Sequence, residues 1–210
     1  MSQRNQMVED PRVMRALAHP SRLAILKRLQ TEGPATATEC AEIAGISPSA
    51  CSYHLRMLAK YGFVEDAPPR GDGRERLWRA HHRGFTVAEP DELTPEVAEA
   101  KNVLAKTVVN GIAEELLRYF DASVRESRQW RQASTLNQML LRANAEELEE
   151  LGRRVTEILV PYLAKTRTAE EAPPDARLVQ GVVYLYPRPP AGPGVGRSGT
   201  GPDNPPEAEN

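Results

Sequence analysis

Between Ser47 and Lys60 the chain carries hydroxyls, a phenol and a guanidinium at intervals that a helix would gather onto one side. Cys51, Leu55 and Leu58 recur at i, i+4 and i+7, the spacing of a buried stripe. The opposite side is then left with Ser49, Ser52, Tyr53 and Arg56. Hydroxyls can hydrogen-bond base edges or phosphate oxygens, and a guanidinium can grip a guanine or a phosphate. Ser47-Pro48 opens the segment as N-cap and first-turn proline, which points the Ser47 hydroxyl at backbone N–H groups and leaves the positive helix end toward an anion. A second basic set follows, with Arg70, Arg74 and Arg76 on or beside the turn-rich PPRGDG. Such arginines suit contact with phosphates or entry into a minor groove. On an arbitrary helix and loop the same residues would be no more than a solvated surface, so their meaning depends on the elements that hold them.

Those elements are legible in part. Asp10-Pro11 reads as the start of a first helix with Val13, Met14 and Leu17 on its apolar side. His19-Pro20 interrupts it, and Ser21 is expected to cap a second helix, SRLAILKRLQTEG, stopped at Gly33. Residues 34–37 have room for one bridging strand. A short helix is expected from Thr38, ended by Gly45 in the left-handed region, and the helix from Ser47 follows to about Lys60. Two helices joined by a three- or four-residue turn containing glycine have helix-turn-helix geometry, with the small Ala41 at the crossing. Phe63-Val64 and Leu77-Trp78 are strand-like on either side of PPRGDG and predict a hairpin with a long basic tip. Helices followed by such a hairpin make a winged helix.

Three blocks, HPSRLAILKRL, TECAEIAGISPSACSYHLRMLAKYGFV and GRERLWRA, stand in this order over roughly residues 10–83. In order and spacing they resemble the signature stretches of the ArsR/SmtB family of bacterial winged-helix regulators. The resemblance implies a homodimeric repressor of double-stranded DNA, with long helices outside the motif forming the dimer interface. It makes Ser47, Ser49, Ser52, Tyr53, Arg56, Arg74 and Arg76 the expected DNA-binding residues, the recognition helix reading a pseudo-palindromic operator in the major groove. The family senses metals through Cys-x-Cys-type sites on the third helix, or Asp and His pairs on the last. Here the third helix has Cys40 alone, and residues 95–125 hold neither His nor Cys. A thiophilic ion wants two or more thiolates, so no metal and no cofactor are expected.

The remaining histidines and cysteines have plainer readings. His54, beside the buried Leu55, is expected to make a structural hydrogen bond, and adjacent His81 and His82 would point to opposite sides of an extended chain. Cys40 and Cys51, on the two helices of the motif, should fill its core; a disulfide would need their Cα atoms within about 7 Å.

Downstream, residues 84–93 read as a linker, and Thr94-Pro95-Glu96 opens a long helix to about residue 125. Val97, Leu104, Val108, Ile112, Leu116 and Tyr119 or Phe120 give it an apolar face that needs a partner surface. STLNQMLLRA is expected to be a strand. Asn144-Ala145-Glu146-Glu147 is a capping box opening a helix with Leu148, Leu151, Val155, Ile158, Leu159 and Tyr162 on one side. RLVQGVVYLYP is expected to be a second strand. Trp130, Tyr162, Tyr184 and Tyr186 would fill the core of this appendage or line a pocket for a small-molecule inducer.

The expected class is therefore mainly α with small β. It comprises a winged helix-turn-helix over 1–85, a linker and dimerisation helix over 86–128, a small α+β appendage over 129–187 and a disordered tail over 188–210. Charge follows this division. Residues 1–85 hold 13 of the 27 Lys and Arg and 9 of the 29 acids, a balance of +4 against −6 for the rest. A basic half joined to an acidic one suits a DNA-reading module with a separate partner region. Two cysteines, no signal-like N-terminus and no long apolar run favour a cytoplasmic protein without a membrane segment. Phosphate-loop, nucleophile-elbow and HExxH patterns are missing from the sequence, which argues against an enzyme. The competing reading is a winged helix used only to bind another protein.

Overall fold

Short apolar helices that cannot each bury a full face alone fold against one another at the N-terminal end of the chain. The computed structural model describes residues 5–70, 75–82, 84–90, 92–164, 167, 168 and 170–188. After a three-residue strand β1 (Gln6–Val8) come α1 (Pro11–Leu17) and α2 (Pro20–Thr31). Asp10 caps α1 by accepting from the Arg12 N–H at 2.7 Å. The α2 cap is His19 rather than Ser21: its Nδ1 accepts from the Ser21 N–H at 3.2 Å, with Pro20 in the first turn. A Ser-Pro pair reads as a cap, but here the proline precedes the serine, so the cap falls one residue before Pro20.

Strand β2 (Ala35–Thr36) runs directly into α3 (Ala37–Ala44). Here too the cap lies earlier than the expected Thr38. Thr36 Oγ1 accepts from the Glu39 N–H at 3.1 Å while Glu39 accepts from the Thr36 N–H at 2.6 Å, a closed capping box. These hydrogen bonds and the nearby Arg70 hold the Glu39 carboxyl below its ordinary value, the backbone bond being the largest cause. Thr36→Ala is expected to lower stability by about 1 kcal/mol. The urea midpoint should fall with the m-value unchanged, and an unmoved midpoint would show that the box contributes nothing.

Gly45 sits at φ 63°, closing α3, and α4 (Pro48–Lys60) begins three residues later with Ser47 as its cap. Met14, Leu17, Ile25, Leu26, Leu29, Cys40, Ala41, Cys51, Leu55 and Leu58 form one core under these four helices, each at most 3% exposed. Fully burying side chains of this size stabilises by about 1.5–3 kcal/mol each. Ala41 lets α3 and α4 approach closely. After Gly62, at φ 73°, the wing strands β3 (Val64–Ala67) and β4 (Leu77–Ala80) pair antiparallel, with Val64 opposite Ala80 and Ala67 opposite Leu77. β2 joins the other edge of β4, Ala35 opposite Trp78.

The segment read as a linker holds a strand. β5 (Phe85–Val87) pairs parallel with β1, Gln6 opposite Phe85, and so fastens the N-terminal segment beside the wing. The long helix α5 (Pro95–Ser123) follows, capped by Thr94. Its first half belongs to the same core, since Ala100 and Leu104 are buried with Met14 and Leu17.

Beyond α5 the architecture departs from the sequence expectation. A short α6 (Arg128–Ala133), capped by Ser127, was not anticipated. α7 (Ala145–Leu159) starts on its expected capping box, Asn144 with Glu147, and continues into a 3-10 turn (Val160–Tyr162). The two expected strands of the appendage do not form: residues 134–143 and 177–187 pair with nothing in a sheet, and Leu136 and Val179 are 71% and 73% exposed. β-propensity describes how well a side chain suits a pleated, half-buried surface, and no neighbouring strand supplies one here. Among the described residues the fold is mainly helical with two small sheets. Of the expected tail over 188–210, residues 189–210 lie outside the described residues, as does Arg74.

Candidate nucleic-acid interface

α4 presents its outer side next to the wing. Ser47 Oγ accepts from the Ala50 N–H at 3.3 Å and lies 3.0 Å from Ser49 Oγ, so the two hydroxyls form a polar pair over the first turn. Ser52 Oγ donates back to the Pro48 carbonyl at 2.9 Å. Its proton is thereby engaged, and what it offers outward is acceptor capacity. Tyr53 is 53% exposed, its ring meeting the His54 ring edge-on at 5.5 Å. Arg56 is exposed and makes no ion pair or hydrogen bond among the described residues. It borders a groove of about 320 Å³ between α4 and the wing, with Ser52, Thr36, Thr38, Arg76 and Trp78 around it.

The expected arginines of the wing are placed quite differently from Arg56. Arg76 donates to both carboxylate oxygens of Asp66, at 2.5 and 3.0 Å, across the hairpin, and its guanidinium lies 4.1 Å from the centre of the Trp78 ring. The bond from Arg76 holds Asp66 below the usual carboxylate range and raises the guanidinium in turn. Arg70 reaches back to Glu39 at 3.3 Å and to the Pro34 carbonyl, which ties the base of the wing to α3. Among the described arginines of this set (Arg56, Arg70 and Arg76), Arg56 is the one not engaged by a carboxylate. Thr36 and Thr38 were missed as groove residues; the T-x-x-E spacing of Thr36 and Glu39 is the signal that would have placed them correctly.

His54 is buried, but the expected structural hydrogen bond does not reach its Nδ1, which has no partner; its ring instead packs on that of His19. His81 Nδ1 pairs with Glu65 at 2.9 Å, and the His81 and His82 rings meet edge to face at 4.5 Å rather than pointing apart. Among the described residues no group of three or more His, Cys, Asp or Glu could hold a metal ion. Cys40 and Cys51 are free and fully buried, one on each helix of the α3–α4 pair. Burial pushes both thiols up, Cys51 to about 12. Because the thiolate is the reactive form, iodoacetamide at about pH 8 is expected to label neither cysteine until denaturant is added. Labelling of the folded protein as fast as free glutathione would contradict this packing.

No helix is long and apolar enough to cross a membrane among the described residues. Helix, glycine turn, helix and hairpin together define a winged helix-turn-helix, and residues 17–67 match the family model described as a helix-turn-helix domain. No curated protein matches the chain. Among solved structures, the chain is similar to a homodimeric winged helix-turn-helix DNA-binding domain from Mycobacterium bovis, described as a possible ArsR-family transcriptional regulator. The identity is 24%, covering 50% of this chain and 81% of that one, with a TM-score of 0.29. Rv0081 of Mycobacterium tuberculosis matches at 24% identity over 48% of this chain and 86% of that one, TM-score 0.29. A MarR family transcriptional regulator from Silicibacter pomeroyi matches at 17% identity over 67% of this chain and 70% of that one, TM-score 0.27.

Proposed function

We propose that this chain is a cytoplasmic, DNA-binding transcriptional regulator that acts as a homodimeric repressor on a pseudo-palindromic operator. The observation that carries the reading is the outer face of α4. Tyr53 and Arg56 stand exposed, and Arg56 borders a groove bounded by the wing and is free of any carboxylate partner among the described residues. A helix with such a face fits the major groove, where Arg reads guanine and hydroxyls read base edges. Arg74 lies at the basic wing tip in sequence and is assigned to the phosphate backbone. Ser47 and Ser49 cover the first turn, where a phosphate would meet the helix N-terminus. The reading assigns no catalytic residue, metal or cofactor, and it leaves the C-terminal region as the place for an inducer.

Recovery of genomic fragments bound by the protein, followed by affinity measurements across a salt series, tests it. Expected is an enriched palindrome and a steep linear fall of log K with log salt. Absence of any duplex binding, with salt-insensitive capture of a protein partner instead, would replace this reading with a protein-interaction module.

A further inference from the structure

Two stretches of the C-terminal region are extended, apolar and paired with nothing in their own chain. Residues 134–143 and 177–187 join neither sheet. Among the described residues, no backbone–backbone hydrogen bond involves residues 135–143 or 178–187. Leu136, Met139 and Leu140 of the first stretch stand open to solvent, as do Val179, Val183 and Tyr186 of the second. Lone strands are normally blunted by charges or proline, yet 134–141 and 178–186 contain neither. A segment of this composition is a template for another strand. Helix α7, which lies between the two in sequence, also buries no residue.

The position of the two stretches identifies the partner. Tyr119 donates to Ser134 Oγ at 2.6 Å, and Arg177 donates to both carboxylate oxygens of Glu126 at 2.9 and 2.8 Å. Gln180 accepts from Lys27 at 2.9 Å, and the same ammonium holds Glu115. Glu115, Tyr119 and Glu126 share one side of α5 by the helical period, so polar bonds pin the root of each stretch to that flank. The exposed Leu116 and Phe120 follow Glu115 and Tyr119 by one position, about 100° further round, so an open apolar stripe runs beside the pinned stretches. A second copy seated on that stripe meets both stretches at once. Their open surface is on the order of 1,000 Å² per copy, and twice that is the scale an obligate homodimer buries. Charge agrees with a second copy. In a part of the chain whose balance is −6, these uncharged stretches can meet their own kind across a two-fold axis without repulsion.

We propose that residues 134–143 and 177–187 are the arms of a sheet shared between two copies of this chain, in which strands from one subunit's C-terminal region hydrogen-bond to strands of the other's. This rests on the homodimer reading above and goes beyond it by naming a second contact: α5 brings the copies together, and the arms lock them. A two-stranded pairing alone is marginal in water. The sheet therefore forms once the α5 contact has raised the effective concentration of the arms.

Hydrogen exchange is measured on the unaltered full chain at a concentration where light scattering shows its mass. The amides of 134–143 and 177–187 are expected to exchange at least about ten-fold more slowly than in free peptides of the same sequence. A short bis-maleimide then reads which chain supplies the paired strand, with the buried Cys40 and Cys51 silent. Co-expressed Leu140→Cys and Val183→Cys chains are expected to give covalent dimers. A Leu140→Cys, Val183→Cys double variant that cross-links only within itself would overturn the proposal. Val183→Pro removes one ladder donor at an exposed position and should weaken the dimer about ten-fold, while α1 to α4 keep their exchange protection. Val183→Thr keeps the donor and should dimerise as the unaltered chain does. Unprotected arms in a chain of dimer mass would overturn the shared sheet and leave the homodimer standing. A chain that is monomeric at micromolar concentration removes both.

Discussion

Arg56→Ala is expected to weaken operator binding by about 1–3 kcal/mol more than it weakens binding to random duplex, which is the cost of losing one bidentate base contact. Arg56 is exposed and engaged by no carboxylate among the described residues, so its removal leaves no orphaned partner and should not move the urea midpoint. Tyr53→Ala should follow the same pattern, because Tyr53 is 53% exposed and its ring meets the His54 ring edge-on at the surface of α4. Arg74→Ala should instead weaken all duplexes about equally and lower the salt slope by about 0.9, one counterion released per phosphate contact. Arg76 divides from the others. It is already held by Asp66 and stacked on Trp78, so Arg76→Ala should cost wing stability more than DNA affinity. Competition binding at fixed salt separates these outcomes. An operator-confined loss for Arg74→Ala with uniform losses for Arg56→Ala and Tyr53→Ala would reverse the assignment, and no loss at any of these three would sink it.

The contrast between Arg56 and Arg76 shows where the sequence was readable. Residues that depend on near neighbours were legible: Ser47-Pro48 opening α4, Gly45 at positive φ, and the Cys51, Leu55 and Leu58 stripe. The helix period ties those positions together over one or two turns. Arg76 was not legible as a paired group, because its partner Asp66 is brought opposite only by the register of the hairpin. The β1–β5 pairing was hidden for a stronger reason. Two three-residue strands almost eighty positions apart carry little pattern, and their pairing is decided by the core that draws both ends of the winged unit together. Residues 134–143 and 177–187 failed in the opposite sense, for their β-rich composition is real but has no partner within the described chain.

The double variant Leu116→Glu with Phe120→Glu is expected to convert a dimer into a folded monomer and to lower operator affinity about 10²- to 10⁴-fold. The first half of α5 is covered by α1, through Ala100 and Leu104 against Met14 and Leu17. The second half is not: Val109, Leu116 and Phe120 are 46%, 40% and 43% exposed, and with the half-buried Ile112 they follow one side of the helix. In this 29-residue helix the chain's own contacts over the last four turns are polar, Lys27 with Glu115 and Tyr119 with Ser134, and leave the apolar stripe open, which is what a second copy would cover. Two carboxylates facing their own counterparts across a two-fold axis oppose that contact without touching the core under α1. The affinity loss follows because a dimer binds its second half-site at high effective concentration, whereas a monomer meets each half-site from solution. Light scattering gives the mass and an operator with one half-site deleted gives the reference affinity. The double variant should bind the full operator no better than the halved one. If it remains a dimer, the interface lies elsewhere, with the unburied apolar side of α7 next in line. An unaltered chain that is monomeric at micromolar concentration would remove dimerisation from the account altogether.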